Sequence, residues 1–156
     1  MNPTIYESGI VDVKFGANVK IVSPVNLYGC EIGSNCFIGP FVEIQKDVAI
    51  GERTKIQSHA FICSLVTIGS SCFIGHGVMF INDLFVHGRP AGGDQTLWKS
   101  TKIGDRVSIG SNATILPVEI CDDVVIGAGS VVTKSISVSG IYMGNPAKFV
   151  RSIKQK

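Results

Sequence analysis

Isoleucine stands at positions 32, 38, 44, 50, 56, 62, 68 and 74, a six-residue interval kept without a miss, and Phe80 takes the next step. A helix repeats every 3.6 residues or so and a strand about every 2, so neither element alone holds that phase. Four positions after these Ile stand Cys36, Val42, Val48, Thr54, Ala60, Val66, Cys72 and Val78, all of them small. Both series therefore face inward. Glycine follows the Ile at Gly33, Gly39, Gly51, Gly69 and Gly75, where a tight corner excludes a Cβ.

The frame runs back through Leu27, Ile21 and Phe15 after one five-residue step, and resumes from Ile103 through Ile109, Ile115, Ile120, Ile126 and Val132. A short strand and a turn use up about six residues, and three such sides close a triangular coil whose strands pair in parallel with the coil above. The units present predict an all-β fold, a parallel β-helix of about six coils standing roughly 25 to 30 Å tall. A chain of 156 residues, 45% hydrophobic, supplies one such domain over 1–156 and no second one.

Composition narrows the function classes. Charged residues make up only 17% and the formal charge is +2, so no field favours nucleic acid or an anionic membrane. The start, MNPTIYESGIVDVKFG, has no basic and apolar leader pattern, and no run of about 18 apolar residues occurs, which predicts a soluble cytoplasmic protein without membrane insertion. Cys30, Cys36, Cys63, Cys72 and Cys121 form no CxxC pair and no zinc-ligand spacing; reduced thiols and no metal are expected.

The residue before each inward Ile points outward. Phe61 and Met79 lie 18 residues apart in that slot, and Phe37 and Phe73 lie 36 apart, so each pair stacks on one face. Aromatic columns on a prism predict another subunit against at least one face.

Between Phe80 and Ile103 the repeat breaks, with 23 positions where six suffice. Long loops in compact domains are usually functional, and solenoid insertions collect on the binding face. The insertion, 82–102, holds Asn82, Asp83, His87, Arg89, Asp94 and the single Trp, Trp98. Asn82 and Asp83 equally suit an Asx turn leaving the last strand, and Trp98 suits a clamp packing the loop back. His76 follows Gly75, and His59 precedes His76 by 17, which places the two near one corner.

The units IGSNCF, IGPFVE, IGSSCF, IGDRVS, IGSNAT and IGAGSV resemble those of the hexapeptide-repeat acyltransferases, over roughly residues 10 to 150. The resemblance implies a left-handed helix, against the usual crossover rule, and a homotrimer of parallel prisms. VMFINDLF resembles the loop segment of bacterial N-acetyltransferases acting on nucleotide-linked amino sugars, in which the Asn and its acidic neighbour face the sugar and the amine. On that footing Asn82, Asp83 and His87 are the catalytic candidates, and Asn82, His76, Arg89 and Trp98 the acceptor contacts. The usual Pro-Arg after the aromatic is replaced by VHGRPAGG. Galactoside and antibiotic O-acetyltransferases, with a catalytic His near position 87, are the nearest alternative, and a non-enzymatic scaffold is the second. The γ-class carbonic anhydrases share the fold, but the His spacings of 17 and 11 do not match theirs.

GNPAK at 144–148 resembles the ending of coenzyme A dependent members, which implies acetyl-CoA as donor and backbone near Ser108, Gly110, Ala128 and Ser130 against pantetheine. Within the C-terminal segment 140–156, Asn145 as a cap and Pro146 at the first turn predict a short helix. Lys148, Arg151 and Lys154 then form a basic strip for the phosphates of coenzyme A. The expected partners are coenzyme A and an amino sugar nucleotide, in cell-surface polysaccharide biosynthesis.

Overall fold

The computed structural model describes residues 3–4 and 8–153. The chain winds as a left-handed parallel β-helix whose short strands stack into three sheets, one on each side of a triangular prism. Seven strands, from Ile10–Val11 to Val131–Val132, make the first face, and six, from Lys14–Phe15 to Glu119–Ile120, make the second. The third has eight, from Lys20–Ile21 through Gly140–Met143 to a final strand, Lys148–Arg151, that runs antiparallel.

One unit shows why six residues suffice. In Phe73-Ile74-Gly75-His76-Gly77-Val78, Phe73 points outward, Ile74 and Val78 are fully buried, and residues 76 and 77 turn the corner. The second corner residue adopts a left-handed backbone, with φ near 60° at Asn35, Asp47, His59 and Ser71. Asn and Asp tolerate that region better than other residues, which explains their recurrence there. The residue after the Ile meets the next rung closely: a Cβ on Gly51 would stand 2.5 Å from the Gly69 carbonyl carbon and 2.6 Å from the Ser70 nitrogen.

Every Ile of the series 32 to 74 is buried, and the rungs align so that Ile44 lies beside Ile62 and Ile56 beside Ile74. Each such side chain contributes about 1.5–3 kcal/mol relative to exposure, so the core is a continuous apolar column rather than a cluster. The outward columns also form as expected, with Phe61 in register with Met79, and Phe37 and Phe73 flanking Lys55.

The structure departs from the sequence reading at both ends. The winding makes about seven turns rather than six, because Ile10–Val11 pairs with Asn26–Tyr28 and Gly140–Met143 pairs with Val124–Ile126. The expected C-terminal helix does not form. Residues 140–151 fold as a hairpin through Gly144 (φ 102°), because the rung Val124–Ile126 leaves backbone groups to pair and a fresh strand satisfies them. Asn145 and Pro146 therefore sit in the turn, not at a helix start. Lys148 and Arg151 lie on a strand instead, opposite Met143 and Ile141 with a β-bulge between them, so the basic pair is carried by a hairpin and not by a helix face; Lys154 lies outside the described residues.

Candidate active site

After the buried Phe80, the chain leaves the first face and returns to the second only at Thr101–Ile103. The neck of the excursion is closed by Lys99 N–H donating to the Asn82 carbonyl at 2.8 Å, and the far side by Thr101 N–H donating to Leu65 at 3.1 Å. Asp83 organises what lies between. Its Oδ1 accepts the Phe85 N–H at 2.9 Å and its Oδ2 the Ala91 N–H at 2.7 Å, so both oxygens are engaged by loop backbone. The Asx-turn reading of Asp83 thus describes its geometry.

Asp94 caps the 3-10 turn Gln95–Leu97, accepting from Thr96 N–H at 3.0 Å and Thr96 hydroxyl at 2.6 Å. Those bonds from Thr96, with a smaller pull from the His87 charge, hold its carboxyl below the usual carboxylate range. Lys46 Nζ donates to Gln95 Oε1 at 3.3 Å, which pins the loop back to the prism.

Under the loop lies a cavity of about 320 Å³ lined by Gln45, Phe61, Cys63, Phe80, Asn82, Asp83, Phe85 and Trp98. Aromatic walls with a few amide groups are the make-up of a small-molecule site. Asn82 Nδ2 donates to the Ser64 carbonyl at 3.2 Å. Burial pushes the Cys63 thiol up to about 12, so it stays protonated and is no nucleophile.

The structure brings Asn82, Asp83 and Trp98 together. His87 and Arg89 are exposed farther along the loop and do not line the cavity. His76 stands at the other end of the first face, above Ser58, with 2.8 Å between its Nδ1 and the Ser58 Oγ; His59 instead stacks on Phe41 with centroids 4.8 Å apart. Among the described residues, no group of three or more His, Cys, Asp or Glu could hold a metal ion.

Ser108, Gly110 and Ala128 lie at or beside that second corner. Ser108 is in register with Phe73 and Val125, and a Cβ on Gly110 would meet the Ala128 nitrogen at 2.5 Å. Ser130 is fully buried, and its Oγ accepts the Gly144 N–H at 3.1 Å, so its hydroxyl ties down the hairpin. Lys148 and Arg151 are exposed on that hairpin. Gln45 escaped the sequence reading; its signal was a polar residue in the slot after Ile44 where Gly is usual.

Two family models match the chain. One, for the hexapeptide repeat of succinyl-transferase, covers residues 100–134, and the other, for the bacterial transferase hexapeptide of six repeats, covers 29–64. The bifunctional protein GlmU of Trichodesmium erythraeum is 32% identical over 152 residues, 96% of this chain but 30% of its own length, so the chain spans under a third of that relative. A hexapeptide-repeat acetyltransferase of Vibrio cholerae, solved with acetyl coenzyme A, superposes with a TM-score of 0.68 at 26% identity, covering 81% of this chain and 72% of that one. Perosamine N-acetyltransferase of Caulobacter crescentus, solved with CoA and GDP-perosamine, gives 0.61 at 22% identity, covering 92% and 57%.

Proposed function

Because the chain belongs to the hexapeptide-repeat acyltransferase family, we propose that it moves an acetyl group from acetyl-CoA to the amine of a nucleotide-linked amino sugar, serving cell-surface polysaccharide biosynthesis. The observation that carries this reading is the aromatic-walled cavity beneath the loop, into which Asn82 and Trp98 both face. The complexes of the Caulobacter and Vibrio proteins supply the classes of acceptor and donor.

In this reading the amine nitrogen attacks the thioester carbonyl, a C–N bond forms, the C–S bond breaks and the thiol of coenzyme A leaves. Asn82 accepts from an N–H of the amine and Trp98 flanks the acceptor, while Arg89 and His87, exposed farther along the loop, reach it from outside the cavity, with His87, the one imidazole on the loop, taking the amine proton. Asp83 contributes by holding the loop in shape. Holding donor and acceptor in contact supplies much of the acceleration, since a thioester needs little activation toward a free amine.

The site is completed in a homotrimer. The first and third faces meet at the Phe41–His59 corner and carry matching outward columns, Glu43, Phe61 and Met79 on one and Phe37, Lys55 and Phe73 on the other. Packing the first face of one prism against the third of the next pairs apolar with apolar and Glu43 with Lys55. It also brings the corner of His76, Ser108, Gly110 and Ala128 to a neighbour's loop, where pantetheine lies, with Ser130 backing it and Lys148 and Arg151 reaching the phosphates. The chain acts as one domain over 1–156, and the acetyl-CoA pool places the reaction in the cytoplasm. Among the described residues no helix is long and apolar enough to cross a membrane.

Measuring acetyl-CoA turnover against a panel of amino sugar nucleotides and hydroxylated sugars tests the proposal. Turnover with an amine acceptor is expected. Transfer to hydroxyl acceptors alone would overturn the N-acetyl assignment, and an absence of thermal stabilisation by coenzyme A would overturn the enzyme assignment.

A further inference from the structure

A hydrogen-bonded chain runs from the first face into the cavity. Gln45 Nε2 donates to Glu43 Oε1 at 3.1 Å, and Gln45 Oε1 accepts the Ser64 N–H at 3.3 Å. Ser64, 3% exposed at the corner beneath the loop, then turns its carbonyl to Asn82 Nδ2 at 3.2 Å. Each amide orientation is dictated by its partner. Reversing Gln45 would set its oxygen against a carboxylate and its NH₂ against an N–H; reversing Asn82 would oppose two carbonyl oxygens.

The consequence falls on Asn82. With Nδ2 committed to Ser64, its Oδ1 makes no hydrogen bond to the described residues and is left as an acceptor on the cavity wall. An acceptor is what an attacking amine requires, because the nitrogen must present its lone pair to the thioester and its N–H to the protein. Asp83, each of whose oxygens already accepts from the loop backbone at Phe85 or Ala91, is held to the shape of the loop.

We propose that Gln45 is a positioning residue, anchored by Glu43, that holds the Ser64 peptide so that Asn82 presents Oδ1 and not Nδ2 to the acceptor amine. This rests on the N-acetyltransferase reading for its purpose, and on the hydrogen-bond chain alone for its geometry. It leaves the cavity wall an oxygen placed to receive a hydrogen bond from the incoming substrate.

Two readouts test it in the full-length protein. In Gln45→Met, isosteric but unable to hydrogen-bond, hydrogen exchange of the Asn82 side-chain NH₂ seen by NMR speeds up by about fivefold or more, as expected for a weakened bond. In steady-state assays, the KM for the best amino sugar nucleotide of the panel rises roughly tenfold while the KM for acetyl-CoA is unchanged. Gln45→Glu, which still accepts from Ser64 but opposes Glu43 with a second carboxylate, gives the same KM split and serves should the Met variant fold poorly. Unchanged Asn82 exchange, or equal effects on both KM values, overturns the positioning role. Absence of any amine turnover in the parent protein overturns the N-acetyl reading instead, while the exchange experiment still decides the geometry.

Discussion

The Asp83 carboxylate meets the Ala91 N–H at 2.7 Å across eight positions of sequence and, with its other oxygen on Phe85, folds the excursion into a closed turn. Charge-assisted bonds of this kind are worth about 1.5–3 kcal/mol each. Asp83→Ala is therefore expected to loosen the loop without unfolding the prism. Trypsin cleavage after Lys99 should accelerate at least tenfold while the thermal midpoint moves by about 2 °C or less. An unchanged cleavage rate would show that the loop is held by something else.

His87 carries the proposed proton transfer. A well-placed base contributes roughly 10² to 10⁴ in rate, so His87→Ala should lose at least a hundredfold in kcat at neutral pH. A variant keeping more than a tenth of normal turnover ends that role.

The close approach at Gly51 makes it a stability site far from the chemistry. A Cβ there points at Gly69 and Ser70 backbone, which cannot swing aside as a side chain would. Gly51→Ala should cost about 1–3 kcal/mol in urea unfolding. Ile62→Ala, at a position with 0% exposure, should cost about 2–5 kcal/mol. A neutral Gly51→Ala variant would mean that the rungs can separate locally.

Burial raises the thiols of Cys30 to about 11 and Cys63 to about 12 from the ordinary 9.0. Above pH 9 the unfolded chain loses protons that the folded chain keeps, so the unfolded state is favoured progressively as pH rises from 9 toward 12; below 9 these groups contribute no slope. The urea midpoint should fall over that window, and less so in Cys63→Ala than in the parent. In native protein at pH 8, iodoacetamide should reach the half-buried Cys121 before Cys30 or Cys63.

Phe73 lies 40% exposed in the third-face column. Phe73→Glu should reduce the sedimentation mass from three chains of 16.6 kDa to one. A parent protein that already sediments as one chain removes the trimer.

The six-residue phase made the core legible because inward and outward slots in a solenoid are set by position alone; Ile32 to Ile74 are buried where that phase puts them. The ends were not legible. Asn145-Pro146 carries local helix-start chemistry, but pairing of Gly140–Met143 with the rung below is a long-range demand that overrides it. At the site, the crowding of Asn82, Asp83 and Trp98 followed from the length of the interruption, whereas the partners of Asp83 and the link from Gln45 to Asn82 depend on how the loop and corners close. A spacing of 37 residues between Gln45 and Asn82 has no signature in a linear pattern.

A parallel solenoid contains no intrinsic stop, since each completed turn offers the next the same row of free amides and carbonyls. The reversed strand Lys148–Arg151 occupies that row along the third face, with Tyr142 and Phe149 edge to face at 5.5 Å to brace it. The column thus finishes on this face with a strand of opposite direction that carries a β-bulge, which interrupts the parallel register a further turn would have to follow.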